Sequence, residues 1–293
     1  MPIPSSGQFS IGQIKTELGI ACNATNYPLA GSAVPLQSSV FGRGGNFGIV
    51  NQTAPHALSE FRGYNAIVSS NLLLYINAAV INSYIGSGTL VNDLSGNANN
   101  GVLINGPTFT TDGGGGLIFD GSNDYAEFDN TIKGANTDNF TLCCFMRCSS
   151  YGPGVAALVR GRDQAGAYYE GWSMFVGADS SGKPQTAVVT TTPNIAAYTT
   201  VSDTAISTNT WFYVVGVWTA GTSLAVYVNG VLQKSTANTS TNLRNSSTGF
   251  VLATAGVSAY YGCTVANAQA YNRALTASEI LQNFNSQKSR FGL

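Results

Sequence analysis

Charge is scarce in this 293-residue chain. Only 9% of its residues are Asp, Glu, Lys or Arg, against roughly a quarter in ordinary soluble domains. The 13 basic residues nearly balance 14 acidic ones, and Arg160 and Arg162 are the closest approach to a basic cluster, so no nucleic-acid partner is expected. Long apolar runs are also missing. Asn71–Ile76 and Trp211–Trp218 fall far short of the roughly 20 residues that span a bilayer, which argues against membrane insertion. The chain opens with no basic start followed by an apolar stretch, so no export signal is expected. His56 is the sole histidine, and the chain has no Gly-x-Ser-x-Gly elbow for it to serve, which leaves histidine-based nucleophilic catalysis without support. The five cysteines, Cys22, Cys143, Cys144, Cys148 and Cys263, are an odd number without framework spacing. That argues against a disulfide scaffold and for assembly in a reducing cytosol. The spacing of Cys143, Cys144 and Cys148 fits no zinc site, and they read as small apolar core thiols.

What the chain does have is 44% hydrophobic residues, 11% aromatics and 34 glycines, enough apolar surface to offset the entropy of ordering and a wealth of turn formers. Two parts are expected, an N-terminal arm over residues 1–66 and a single large domain over 67–293. In the arm, Ser10 and Gln13 make a capping box for a helix over 10–19, with Ile11, Ile14 and Leu18 on one face. A second helix is expected from Pro55 to Gly63, and the Gly/Ala/Ser/Asn stretch between them cannot build a core. From Leu72 onward, short β-rich runs alternate with Gly/Asn/Asp/Ser turns, the spacing of an antiparallel sandwich. Phe140–Met146 is apolar at both odd and even positions, as in a central strand covered on both sides. Asn229-Gly230 between Leu224–Val228 and Val231–Lys234 predicts a two-residue hairpin turn. Thr276 and Glu279 make a capping box for a terminal helix over Ala277–Phe284.

Two resemblances follow from these motifs. The opening Met-Pro-Ile-Pro-Ser-Ser-Gly, Ile11-Gly-Gln-Ile-Lys-Thr-Glu-Leu-Gly19 and His56-Ala-Leu-Ser-Glu-Phe-Arg-Gly63 resemble the N-terminal segment of tailed-phage structural proteins. Leu72-Leu-Leu-Tyr-Ile-Asn77, Asp93-Leu-Ser-Gly-Asn-Ala-Asn-Asn-Gly101, Phe119-Asp-Gly-Ser-Asn-Asp-Tyr125, Trp211-Phe-Tyr-Val-Val-Gly-Val-Trp218, Tyr227-Val-Asn-Gly230 and Tyr271-Asn-Arg-Ala-Leu-Thr276 stand in the order of the concanavalin-A-like, laminin-G-type jelly roll. These resemblances imply an all-β, two-sheet antiparallel jelly-roll sandwich with a terminal helix, carried on a virion (tail fibre, baseplate or capsid decoration). They further imply contacts to other virion proteins through residues 1–66, a homo-oligomer, most naturally a trimer, and contact with a host surface glycan. A free bacterial adhesin is the rival reading, one that would normally bring an export signal.

The chemistry sought in the chain narrows the choice. A retaining glycosidase needs two carboxyls roughly 5 Å apart. Glu127 and Asp129 are the only acids at strand spacing, and they lack the family's Glu-x-Asp-x-x-Glu or Glu-x-Asp-x-Glu pattern, so no enzymatic activity is expected. Phe41–Gly48 lacks the spacing of a phosphate cradle. Structural Ca²⁺ has two candidate loops, Asp93 with Asn97 and Asn99, and Asp120 with Asn123 and Asp124. The competing reading is that these side chains bond their own backbone in turns. For a ligand, Arg160, Arg162, Asp163, Tyr168 and Tyr169 combine aromatic faces with charged hydrogen-bonding groups, and Tyr260 and Tyr261 are candidates to extend that surface. Such a surface suits either a sugar or a protein partner.

Overall fold

The computed structural model describes residues 67–128, 139–151, 155–160, 172–176, 181–190, 196–242, 250–256 and 259–293. The expected arm and its two helices lie outside these residues. In chain order the strands are β1 (Leu72–Asn77), β2 (Leu90–Val91), β3 (Gly101–Ile104), β4 (Thr108–Thr110), β5 (Gly116–Asp120) and β6 (Tyr125–Phe128). There follow β7 (Phe140–Cys148), β8 (Val155–Arg160), β9 (Trp172–Val176), β10 (Pro184–Thr190), β11 (Ala196–Val201) and β12 (Phe212–Thr219). The last six are β13 (Ser223–Val228), β14 (Val231–Ala237), β15 (Phe250–Leu252), β16 (Thr254–Gly256), β17 (Ala259–Tyr260) and β18 (Gly262–Tyr271), before helix α1 (Ala277–Gln287).

These strands form the expected sandwich. Sheet I runs β14-β13-β12-β7-β18-β5-β4, with β1 also paired to β18, and sheet II runs β11-β10-β9-β8-β15-β6-β3-β2. Both are antiparallel. Strand alternation sorts the side chains of β7. Phe140, Leu142, Cys144, Met146 and Cys148 enter the core between the sheets, while Cys143 and Phe145 join a second apolar cluster on the other side. Hence every residue of β7 except Arg147 is buried, Thr141 included, its hydroxyl donating to the Arg273 carbonyl at 2.9 Å. Gly216 on β12 lets the sheets approach, because a Cβ there would sit 2.5 Å from Thr186 Oγ1 on β10. The β13–β14 hairpin turns through Asn229 (φ 49°) and Gly230 (φ 80°), both left-handed as the expected tight turn demands.

The second cluster is the outer face of sheet I, covered by the segment entering β1 and by the segment that follows β18. Val68, Leu72, Leu275, Ile280, Phe284 and Phe291 pack over Cys143, Phe145, Tyr213, Val215 and Tyr271. Helix α1 is held by the expected capping box. Thr276 accepts from the Glu279 amide, and the Glu279 carboxylate accepts from the Thr276 amide and from the Arg273 guanidinium at 2.7 and 2.8 Å. Polar groups buried beneath the helix tie it to the chain's entry. The Val68 amide donates to Asn283 Oδ1 at 2.8 Å, and the Tyr271 hydroxyl donates to the Val68 carbonyl at 2.9 Å. Arg290, only 8% exposed, donates to the Gly113 carbonyl and to Asn77 Oδ1, both at 3.0 Å. Burial pulls its pKa down to about 10. Its hydrogen-bond acceptors among the described residues are neutral. Among the described residues, no helix is long and apolar enough to cross a membrane.

Candidate rim sites

Strand pairing decides which loops meet. Phe250 of β15 pairs with Arg160, and the next strand positions, Val251 and Leu252, pair with Glu127 and Ala126. The Arg160 end of β8 therefore lies beside the Phe128 end of β6, and the Val155 end beside Tyr125. Gly101 also pairs with Phe128, so the Asp93–Asn100 loop that leads into it shares the rim with Arg160. The opposite rim gathers three turns: Asn105–Pro107 after β3, Gly121–Asp124 between β5 and β6, and the β16–β17 hairpin.

This arrangement divides the expected ligand residues. Arg160 lies at one end of sheet II, while Tyr260, in the separate β16–β17 hairpin, pairs with Thr254, four positions beyond the Phe250 that pairs with Arg160, or about 13 Å away at strand rise. Arg162, Asp163, Tyr168 and Tyr169 lie outside the described residues. Tyr261 turns into the core at 8% exposure, its amide bonded to the Ala253 carbonyl, while Tyr260 is half-buried at the surface. The partner of Tyr260 was not legible in the sequence. Its ring lies 6.0 Å, centroid to centroid, from that of Tyr125, at an interplanar angle of 36°. The two residues are distant in the chain, and no local pattern announces that β5, β18 and the hairpin bring them together.

Asp120 and Asp124 flank this aromatic pair and shape its turn. Asp120 Oδ1 accepts from the amides of Ser122 (2.8 Å) and Asn123 (3.4 Å), and these hydrogen bonds, the Ser122 one first, hold its carboxyl below its usual range. Asp124 is buried, which pushes its carboxyl up, and its Oδ2 accepts from the Asp120 amide at 3.2 Å. The Asn123 carbonyl accepts from Asn105 Nδ2 at 2.9 Å, locking two of the turns together. Ser122 and Asn123 remain exposed beside the tyrosines.

At the other rim, the Asp93 carboxylate is surrounded by donors. Its Oδ1 accepts from the Tyr75 and Ser95 amides, both at 2.9 Å, and its Oδ2 from the Ser95 hydroxyl at 2.6 Å and the Asn99 amide at 3.0 Å. Asn97 and Asn99 turn their Nδ2 groups onto the Leu72 and Leu73 carbonyls. In both candidate calcium loops the side chains of Asp93, Asn97, Asn99, Asp120 and Asp124 bond backbone groups and stitch turns to strands. Among the described residues, no three Asp, Glu, His or Cys side chains gather as a metal site.

Residues 120–281, more than half of the chain, match the family described as the concanavalin A-like lectin/glucanases superfamily. The chain belongs to this superfamily. No curated protein matches it in sequence. Among solved structures, the binding domain of Paraclostridial Mosquitocidal Protein 1 is similar over 74% of this chain and 52% of its own, at 15% identity and a TM-score of 0.58. The ligand-binding domain of botulinum neurotoxin serotype D in complex with N-acetylneuraminic acid is similar over 75% of this chain and 52% of its own, at 14% identity and a TM-score of 0.58. Trypanosoma rangeli sialidase in complex with sialic acid is similar over 77% of this chain and 34% of its own, at 18% identity and a TM-score of 0.55. The superfamily chain thus spans about half the length of the toxin domains and a third of the sialidase. At such identities the likeness is one of fold.

Proposed function

We propose that this superfamily member is a glycan-contacting structural component of a tailed-phage particle, held to the particle by residues 1–66 and assembled there as a trimer in the host cytoplasm. The carrying observation is the asymmetry of the sandwich. The chain enters at Val68 beneath helix α1, on the outer face of sheet I, and both termini of the domain cover that face. Both candidate rims and the flank of sheet II bearing exposed Val102 and Glu127 are left to face outward. An arm leaving from the sheet I side therefore displays the rims. The phage setting itself rests on the resemblance of residues 1–63.

The rim built on Tyr125 and Tyr260 is the proposed contact. Two half-buried rings with exposed Ser122 and Asn123 beside them offer apolar faces for sugar C–H groups and polar atoms for hydroxyls. The function is binding without hydrolysis: Asp120 and Asp124, beside the rings, are engaged by the amides of their own turn. Two of the similar structures are complexes with sialic acid, so sialylated glycans join bacterial surface polysaccharides as the first ligands to test. A glycan array probed with the full chain should give a restricted set of binders and no release of reducing ends. Absence of binding to any glycan would overturn the contact, and its absence from purified virions by mass spectrometry would overturn the setting.

A further inference from the structure

Strands β7 and β18 lie side by side in the middle of sheet I, and their register sets Cys148 directly opposite Cys263. Both side chains belong to the core between the sheets, Cys148 fully buried and Cys263 4% exposed. The carbonyl of Cys148 accepts from the amide of Asn209, 2.7 Å away, in the segment leading into β12. In an extended strand, the N–H and C=O of one residue point to the same side, so Cys148 directs its backbone groups toward β12 and away from β18. Its pairing with Cys263 is therefore the non-hydrogen-bonded kind, in which facing Cα atoms are about 4.5 Å apart and side chains are closest. A disulfide needs Cα atoms roughly 4.4–6.8 Å apart with Cβ atoms on the same side. The other described thiols are placed differently, Cys144 opposite Ala268 and Cys143 opposite Gln269.

We infer that Cys148 and Cys263 are a disulfide-forming pair, which cross-links the two central strands of sheet I when the protein meets an oxidised thiol pool. The reaction is thiol–disulfide exchange. One cysteine thiolate attacks a sulfur of glutathione disulfide, giving a mixed disulfide and releasing one glutathione thiolate. The second cysteine thiolate then attacks the protein sulfur of that mixed disulfide, forming the Cys148–Cys263 bond and expelling the second glutathione. Two electrons pass from the cysteine pair to the oxidant, and the two thiol protons end on the glutathiones. The pair sits at the end of β7 and the start of β18, one residue from exposed Ser149 and from Gly262. Fraying of these ends admits the oxidant. Burial pushes the Cys148 thiol up to about 12, so the exchange is slow and follows that opening. A chain assembled reduced would close the link only afterwards, at the rim that carries Tyr260.

The test incubates the full chain, without denaturant, in excess glutathione disulfide until no further change occurs, then alkylates the remaining thiols, digests and maps the peptides. The expected result is a Cys148–Cys263 linked peptide, two fewer alkylatable thiols among the five, and a urea midpoint that rises and falls back on reduction. Cys148→Ala and Cys263→Ala should each abolish the link. Mapping of the unsubstituted chain decides the matter even where a variant misfolds. Recovery of both thiols in alkylated form at equilibrium, glutathione adducts without a cross-link, or a link from Cys263 to Cys144 would each overturn the inference.

Discussion

The side-chain oxygen of Asn283 accepts a hydrogen bond from the amide of Val68 at 2.8 Å, joining the chain's entry into the sandwich to its terminal helix. The same side chain donates to the Tyr271 hydroxyl at 3.0 Å, and that hydroxyl donates to the Val68 carbonyl. Both backbone groups of Val68 thus depend on one buried polar set. Asn283→Leu leaves the Val68 N–H buried and unpaired, which costs about 1–3 kcal/mol. Urea unfolding of full-length protein should register that loss, whereas an unchanged midpoint would mean that the entry is not anchored there.

Glu279 supplies a pH dependence of known sign. Its carboxyl is held down to about 2, chiefly by the Arg273 guanidinium and then by the Thr276 cap. A carboxyl depressed in the folded state contributes stability that is present above its unfolded pKa of about 4.3 and is lost as pH falls toward about 2. Glu279→Gln should lower stability at neutral pH by about 1–2 kcal/mol and flatten this acid limb. Denaturation midpoints measured across that window check it, and parallel profiles for the two proteins would refute the assignment.

Gly216→Ala should be destabilising by about 1–3 kcal/mol through overpacking, because its Cβ would press on Thr186 Oγ1, which donates to the Ser173 carbonyl. Gly216→Ala paired with Thr186→Ala should recover part of the loss, since the hydroxyl oxygen at 2.5 Å is then gone. Calorimetric midpoints of the single and double variants test this coupling.

The two rims make opposite predictions for ligand binding. Tyr260→Ala removes a ring face worth about 0.5–1.5 kcal/mol and should weaken glycan binding up to about tenfold without unfolding the domain. Arg160→Ala, at the far rim, should leave that affinity unchanged. Isothermal titration with a glycan found on the array distinguishes them, and the reverse ranking would move the contact to the Arg160 rim.

Most of the sandwich was readable in the sequence because its central strands carry their own signal. The apolar run of β7, the positive-φ pair Asn229-Gly230 and the Thr276/Glu279 box each act locally. The strands that escaped, β2, β4, β11, β16 and β17, are very short or lack the alternation of a half-buried strand. Strand β11 is Ala-Ala-Tyr-Thr-Thr-Val, and β14 continues beyond Lys234 as Ser-Thr-Ala, exposed there and formed by pairing with β13. Short β16 and β17 exist only because they pair with each other. The rim followed the same rule. Asp120 and Asp93 announced turns through local composition, but the meeting of Tyr125 with Tyr260, and the separation of Tyr260 from Arg160, depend on strand order, which neighbouring residues do not encode.

The central claim is that residues 1–66 attach the chain while the sandwich faces outward. The most direct measurement expresses residues 67–293 in place of the full chain during particle assembly and quantifies the protein in purified particles by mass spectrometry, with circular dichroism of the free fragment alongside. The account predicts a β-rich, folded fragment that is missing from the particles. A folded fragment incorporated at the level of the full chain would contradict it.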